Sequence, residues 1–156
     1  MRYRRLLIPL TALALLLALA LILPAAVQAG RTHQLYLDDA PVVPAGSGNP
    51  NLFGEATVEA NRGQAHVCYT IRAFIYGFDE EVTGVAIHKA PPGVKGPESV
   101  HLASTVPEGI TVGDCVPTAR SLAGDIQKNP QDYYLLVTTT GYPDGAARAQ
   151  LDTNNR

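Results

Sequence analysis

The chain has no tryptophan, one methionine and only two cysteines, and its 12 Lys and Arg do not outnumber its 14 Asp and Glu. Each shortage narrows the field. Two cysteines allow one bridge. A chain of this charge shows no basic patch, so a nucleic-acid partner is not expected. Ser99, Ser104 and Ser121 sit in no nucleophile elbow, and no Ser-His-Asp order can be argued. Asp114, Asp125 and Asp132 lack the dense alternating oxygen ligands of a calcium loop. Neither an internal repeat nor a long linker divides the sequence, so one domain is expected.

The first stretch sets the compartment. MRYRR precedes an uncharged run from Leu6 to Leu23, followed by PAAVQAG. A basic head, an apolar middle and small residues at Val27 and Ala29 form the layout of a secretory signal peptide, with cleavage after Ala29. Residues 1–29 are therefore read as the signal and 30–156 as the domain. An apolar run of this length also suits a retained anchor, against which Pro9, Pro24 and the cleavage site argue. Membrane contact is expected only through residues 6–23, if they are uncleaved. No cysteine follows the run, which argues against lipid anchoring. The remainder carries nine basic against fourteen acidic residues, a formal charge of −5. Cys68 and Cys115, bound for the cell envelope or the outside, read as one disulfide. That bridge stabilises the fold by roughly 4 kcal/mol in the chain-entropy model. A metal site using both thiolates needs further ligands at recognisable spacing.

Periodicity sets the fold class. Glu55–Ala60 and Ala65–Phe74 alternate at period two around a turn containing Asn61, Arg62 and Gly63, a hairpin pattern. Ala65, Val67, Tyr69, Ile71 and Ala73 form the expected core face of the second run. His66, Cys68, Thr70, Arg72 and Phe74 form the other, with Cys68 reaching across that face or an edge. Further strands are expected at Leu35–Asp38, Val82–His88, Ser99–Ala103, Tyr133–Thr140 and Ala146–Leu151. Ahead of Tyr133, SLAGDIQKNP reads as one short helix, with Leu122 and Ile126 inward and a stop at Asn129-Pro130. The class is all-β: an antiparallel, Greek-key-like β-sandwich with one short helix and a single disulfide.

Six segments occur in order: GEATV at Gly54, VCY at Val67, AIHKAPPGVKGP at Ala86, GDCV at Gly113, LAGDIQKNPQDYY at Leu122 and YPDGAARAQL at Tyr142. Together they resemble the chordin-type (CHRD) domain family over about residues 34–151, as a secreted, bacterial-type single-domain member. The resemblance implies a secreted or surface-exposed antiparallel β-sandwich, with Cys68 and Cys115 at the positions of the family's paired cysteines. In animal chordins such domains are extracellular, within a protein that binds growth factors, and the resemblance implies no catalytic activity. It also marks a departure. Where family members commonly carry His-Ile-His before the Pro/Gly loop and a later histidine, this sequence has Ala86, His88 and Thr138.

His88 is the candidate metal ligand, since His-x-His on one strand face plus a third imidazole suits zinc or copper. With His66 and His101 tied to it by nothing local, the simpler reading is a hydrogen-bonded strand-end histidine. Asp79, Glu80 and Glu81 read as a solvated turn rather than as paired carboxylates. Arg148 is expected to pair with a carboxylate or cap backbone carbonyls, with recognition as its minority role. Tyr76, Tyr134 and Tyr142 are candidate binding residues, since a tyrosine on a rigid sandwich offers an apolar face and a polar tip.

Two functions follow from these residues. The first is a non-catalytic module, without cofactor, binding an extracellular protein, a glycan or an envelope component. The alternative is a metal-binding or redox enzyme on a superoxide-dismutase-like sandwich using His88.

Overall fold

The computed structural model describes residues 30–76 and 80–151. The signal peptide expected at 1–29, together with Phe78 and Asp79, lies outside the described residues.

Among the described residues, eight strands form two four-stranded sheets: β1 (Arg31–Leu37), β2 (Leu52–Asn61), β3 (His66–Ile75), β4 (Val82–Lys89), β5 (Glu98–Ala103), β6 (Val112–Pro117), β7 (Tyr133–Thr139) and β8 (Ala147–Gln150). The first sheet runs β1-β2-β3-β6 and the second β5-β4-β7-β8. Every pairing is antiparallel. Crossovers after β3, β5 and β6 carry the chain between sheets, giving the sandwich expected from the alternating runs.

Period-two alternation decides what lies between the sheets. In β3, Val67, Tyr69, Ile71, Ala73 and Ile75 are buried. They meet Leu35 and Leu37 of β1, Ala56, Val58 and Ala60 of β2, Val85 and Ile87 of β4, and Tyr133, Leu135 and Val137 of β7 in one core. Ala65 differs from expectation. It lies outside the strand with φ +58°, in the loop that reverses the chain between Asn61 and His66. Asn61 Oδ1 accepts the Gln64 N–H at 3.0 Å, closing that loop.

One α-helix occurs among the described residues, α1 (Arg120–Lys128), and it buries Ala123, Gly124 and Ile126. Leu122 only partly joins the core. Beyond Asn129 a short 3-10 turn, Pro130–Asp132, leads into β7. Asp125 on this helix ties three elements together. Its Oδ2 accepts from Lys89 Nζ and from the Tyr133 hydroxyl, each at 2.6 Å, and its Oδ1 from Asn129 Nδ2 at 2.7 Å. The Lys89 ammonium, then the Tyr133 and Asn129 donors, hold the Asp125 carboxyl well below the usual carboxylate range. The same bond to Asp125 raises Lys89 above the ordinary lysine value.

The sequence periodicity does not anticipate β6. Its residues are mostly exposed, and Gly113, Asp114 and Pro117 carry low strand preference. Pairing with β3 makes it a strand, with Cys68 opposite Cys115.

Candidate functional site

Three regions gather the candidate residues, beginning with the outer face of the second sheet. There β4 leaves Lys89 into the Pro/Gly loop of residues 90–97, which folds back over β7 and β8. His88 sits half-buried at the strand's end, its ring stacked on Tyr134 with centroids 5.2 Å apart. The carbonyl of Gly96 can only accept, so His88 Nδ1, 3.0 Å away, carries the proton and donates. The Gly96 N–H donates to the Tyr134 oxygen at 3.1 Å, and the Tyr134 hydroxyl reaches the Gly96 carbonyl at 3.4 Å. A side chain on Gly96 would press into the Lys89 carbonyl, its Cβ only 2.0 Å from that oxygen, so the approach needs glycine.

Arg148 completes the clamp. It is 2% exposed, its guanidinium 3.5 Å from the Tyr134 ring centroid. Nη1 donates to the Val94 carbonyl at 2.8 Å, and Nη2 to the Pro91 carbonyl at 3.0 Å and to Gln150 Oε1 at 3.1 Å. Gln150 in turn donates to the carbonyls of Ala90 at 2.9 Å and Gln131 at 2.7 Å. Burial lowers the Arg148 pKa, against the raising effect of Tyr134. Of the two roles expected for Arg148, capping backbone carbonyls is the one seen among the described residues. His88, Tyr134 and Arg148 thus converge, and what they hold is the protein's own loop.

The three positions at which the resemblance places histidines also converge. Ala86, His88 and Thr138 line one open cleft of about 330 Å³ with His101 and Glu98. Only His88 and His101 supply imidazoles there. His101 Nε2 meets the Ser104 hydroxyl at 3.1 Å, and its Nδ1 lies 3.7 Å from Glu98. Among the described residues, the group of three metal-capable side chains brought close together is His66, Cys68 and Cys115, which does not include His88.

The second region is that group. Cys68 and Cys115 form the expected disulfide, their Cα atoms 3.9 Å apart on paired strands, which fits an oxidising compartment. It lies on the outward side of β3, beside the sheet edge.

The third region is the rest of that outward face. Tyr36 and Tyr76 are each 68% exposed and Phe53 is 42% exposed. Phe53 stacks on Phe74 and tilts against Tyr76, each pair with centroids 5.2 Å apart. Arg72 lies 4.7 Å from the Phe74 ring and donates from Nε to the Gly109 carbonyl at 2.8 Å. Beside the rings runs an open trough of about 280 Å³ lined by Gln34, Tyr36, Glu55, Thr57, Thr70, Arg72 and Thr111, among others. Tyr76 therefore stands where a partner can reach it, whereas Tyr142 packs half-buried against the core. Tyr36 and Phe53 are absent from the candidates read from the sequence. A signal for Tyr36 existed, because Leu35 and Leu37 facing inward turns it outward.

The acidic turn also differs from expectation. Glu80 is half-buried, accepting from Asn49 Nδ2 at 2.8 Å and from the Thr139 hydroxyl, so it anchors the chain's entry into β4 rather than facing only water.

No curated protein and no solved structure matches the chain. The six ordered segments, the Cys68–Cys115 bridge and all of the sandwich but the first three residues of β1 fall within residues 34–151, where the model of the CHRD domain matches, and the chain belongs to that family.

Proposed function

We propose that this CHRD domain is a non-catalytic module of the cell envelope or extracellular space that holds a glycan against the outer face of its first sheet. In this reading residues 1–29 direct export and 30–156 act. The observation that carries it is the exposed row of Tyr36, Phe53 and Tyr76 beside a polar trough. A tyrosine ring offers a π-face to sugar C–H groups and a hydroxyl to their oxygens. Gln34, Glu55, Thr57, Thr70, Arg72 and Thr111 supply donors and acceptors at fixed positions on a sheet. A folded protein partner favours a centre depleted of charge, yet Glu55 and Arg72 stand opposite one another within this trough.

Affinity electrophoresis in gels containing soluble polysaccharides and envelope glycans tests the proposal. Retardation by at least one of them is expected. Substituting Tyr36→Ala and Tyr76→Ala should weaken binding at least about tenfold at unchanged melting temperature. Retention that ignores both tyrosines overturns the choice of face. Absence of glycan retention, together with capture of an envelope protein through the same residues, overturns the choice of ligand.

A further inference from the structure

His66 and Cys68 lie two residues apart on β3 and so project to the same side, while Cys115 stands opposite Cys68 on β6. One nitrogen of His66 and the two sulfurs all lie within 4.8 Å of one another. We propose that, when the disulfide is reduced, these three side chains bind a zinc ion, so that metal replaces the covalent bond as the link between β3 and β6.

The donor chemistry favours this ion. Two thiolates and one imidazole are a soft, borderline set that selects zinc over magnesium or calcium. Tetrahedral zinc takes sulfur at about 2.3 Å and nitrogen at about 2.0 Å, which leaves a fourth position for water. Ligand atoms in such a site stand roughly 3.3–3.8 Å apart. The imidazole nitrogen, within 4.8 Å of both sulfurs, and the sulfurs themselves reach that spacing by side-chain rotation once the bond between them opens. The β3–β6 register, Ile71↔Val112 to His66↔Pro117, already sets Cys115 opposite Cys68, so the site forms without a change of strand pairing. Access is open: Cys115 is exposed, and His66 and Cys68 are half-buried.

The redox step is a two-electron thiol–disulfide exchange with a dithiol donor. A donor thiolate attacks one sulfur to give a mixed disulfide. The donor's second thiol then releases the protein and leaves as the donor's own disulfide. The donor's two protons end on Cys68 and Cys115, and zinc displaces both as it binds. Oxidant and metal thus compete for one pair of thiols, and either outcome keeps the edge strand attached.

The test is anaerobic titration of the purified, reduced protein with cobalt(II), a spectroscopic substitute for zinc. One equivalent should produce tetrahedral ligand-field bands with sulfur-to-metal charge transfer, and zinc should bleach them. Oxidised protein should give none. His66→Ala should weaken binding at least about tenfold, and Cys68→Ser with Cys115→Ser should abolish the charge-transfer band. A reduced, folded protein without that band overturns the proposal, as does equal affinity in His66→Ala. If reduction alone unfolds the chain, far-UV circular dichroism reads the same site. Stoichiometric zinc should then restore the fold in the wild type but not in His66→Ala, and a chain that stays unfolded with zinc counts against the site.

Discussion

The two outward faces of this sandwich obey the same alternation and end in opposite conditions. On the second sheet, Tyr134, Leu136 and Arg148 point away from the main core and are nevertheless buried, because the loop of residues 90–97 lies over them. On the first sheet, Tyr36, Phe53 and Tyr76 occupy equivalent outward positions and remain in water. One strand pattern thus yields either a second small core or a binding surface, and the difference is made by a loop rather than by a strand. Aromatic residues alone do not mark a functional face; whether the chain itself occupies them decides that.

The contrast is broken most forcefully at Arg148. Arg148→Ala leaves the carbonyls of Pro91 and Val94 and the Gln150 side chain without their donor and removes the cation from the Tyr134 ring. It should destabilise the fold by about 3–4 kcal/mol in urea denaturation, and a loss below about 1 kcal/mol would mean the loop is held by something else. Removing the bridge by Cys68→Ser with Cys115→Ser should cost about 2–4 kcal/mol by the same measurement. The loop on the opposite sheet should be untouched, as hydrogen exchange at Gly96 would read.

Asp125→Asn should lower stability by about 1–3 kcal/mol, because the buried Tyr133 hydroxyl loses its ionised acceptor. Its pH dependence sharpens the assignment. The folded Asp125 pKa is depressed, so the contribution is present above the ordinary carboxylate value near 4 and is lost as pH falls through the lower, folded value. Lys89 is raised, so its share holds below the ordinary lysine value and is lost as pH rises through its folded one. Melting curves of wild type and variant should therefore converge in acid and stay apart at neutral pH.

His88→Ala should cost about 1 kcal/mol, through one hydrogen bond to the loop and one ring contact. Smallest on stability is Tyr76→Ala, expected within about 0.5 kcal/mol of wild type while weakening the proposed glycan contact. A large melting shift there would return Tyr76 to a packing role.

The β2–β3 hairpin was legible because Val67, Tyr69, Ile71 and Ala73 alternate with polar residues and apolar burial enforces that period. Ala65 departs from the pattern because alternation continues into a loop whose backbone needs a positive φ, which its side chain does not announce. The strand β6 was hidden for a different reason: it buries little, so no apolar period marks it. At the candidate sites, the disulfide was readable from count and compartment. His88 was recognised as a strand-end histidine, but its acceptor is a backbone carbonyl, and carbonyls leave no trace in residue identity. Arg148 was placed among carbonyls as one of two expected roles, yet which ones depended on a fold-back of more than fifty residues.

The bridge between Cys68 and Cys115 has one more consequence, for the sheet's boundary. β6 ends the first sheet, so its outer backbone groups offer a template to any other extended chain. A strand with so little apolar burial is also weakly protected against sliding along its neighbour. One covalent crosslink opposes both hazards: it forbids slippage, and it keeps the margin of the sheet from peeling open toward intermolecular pairing. Loss of the crosslink should therefore appear first as aggregation during storage, before any change in the isolated monomer's fold is seen.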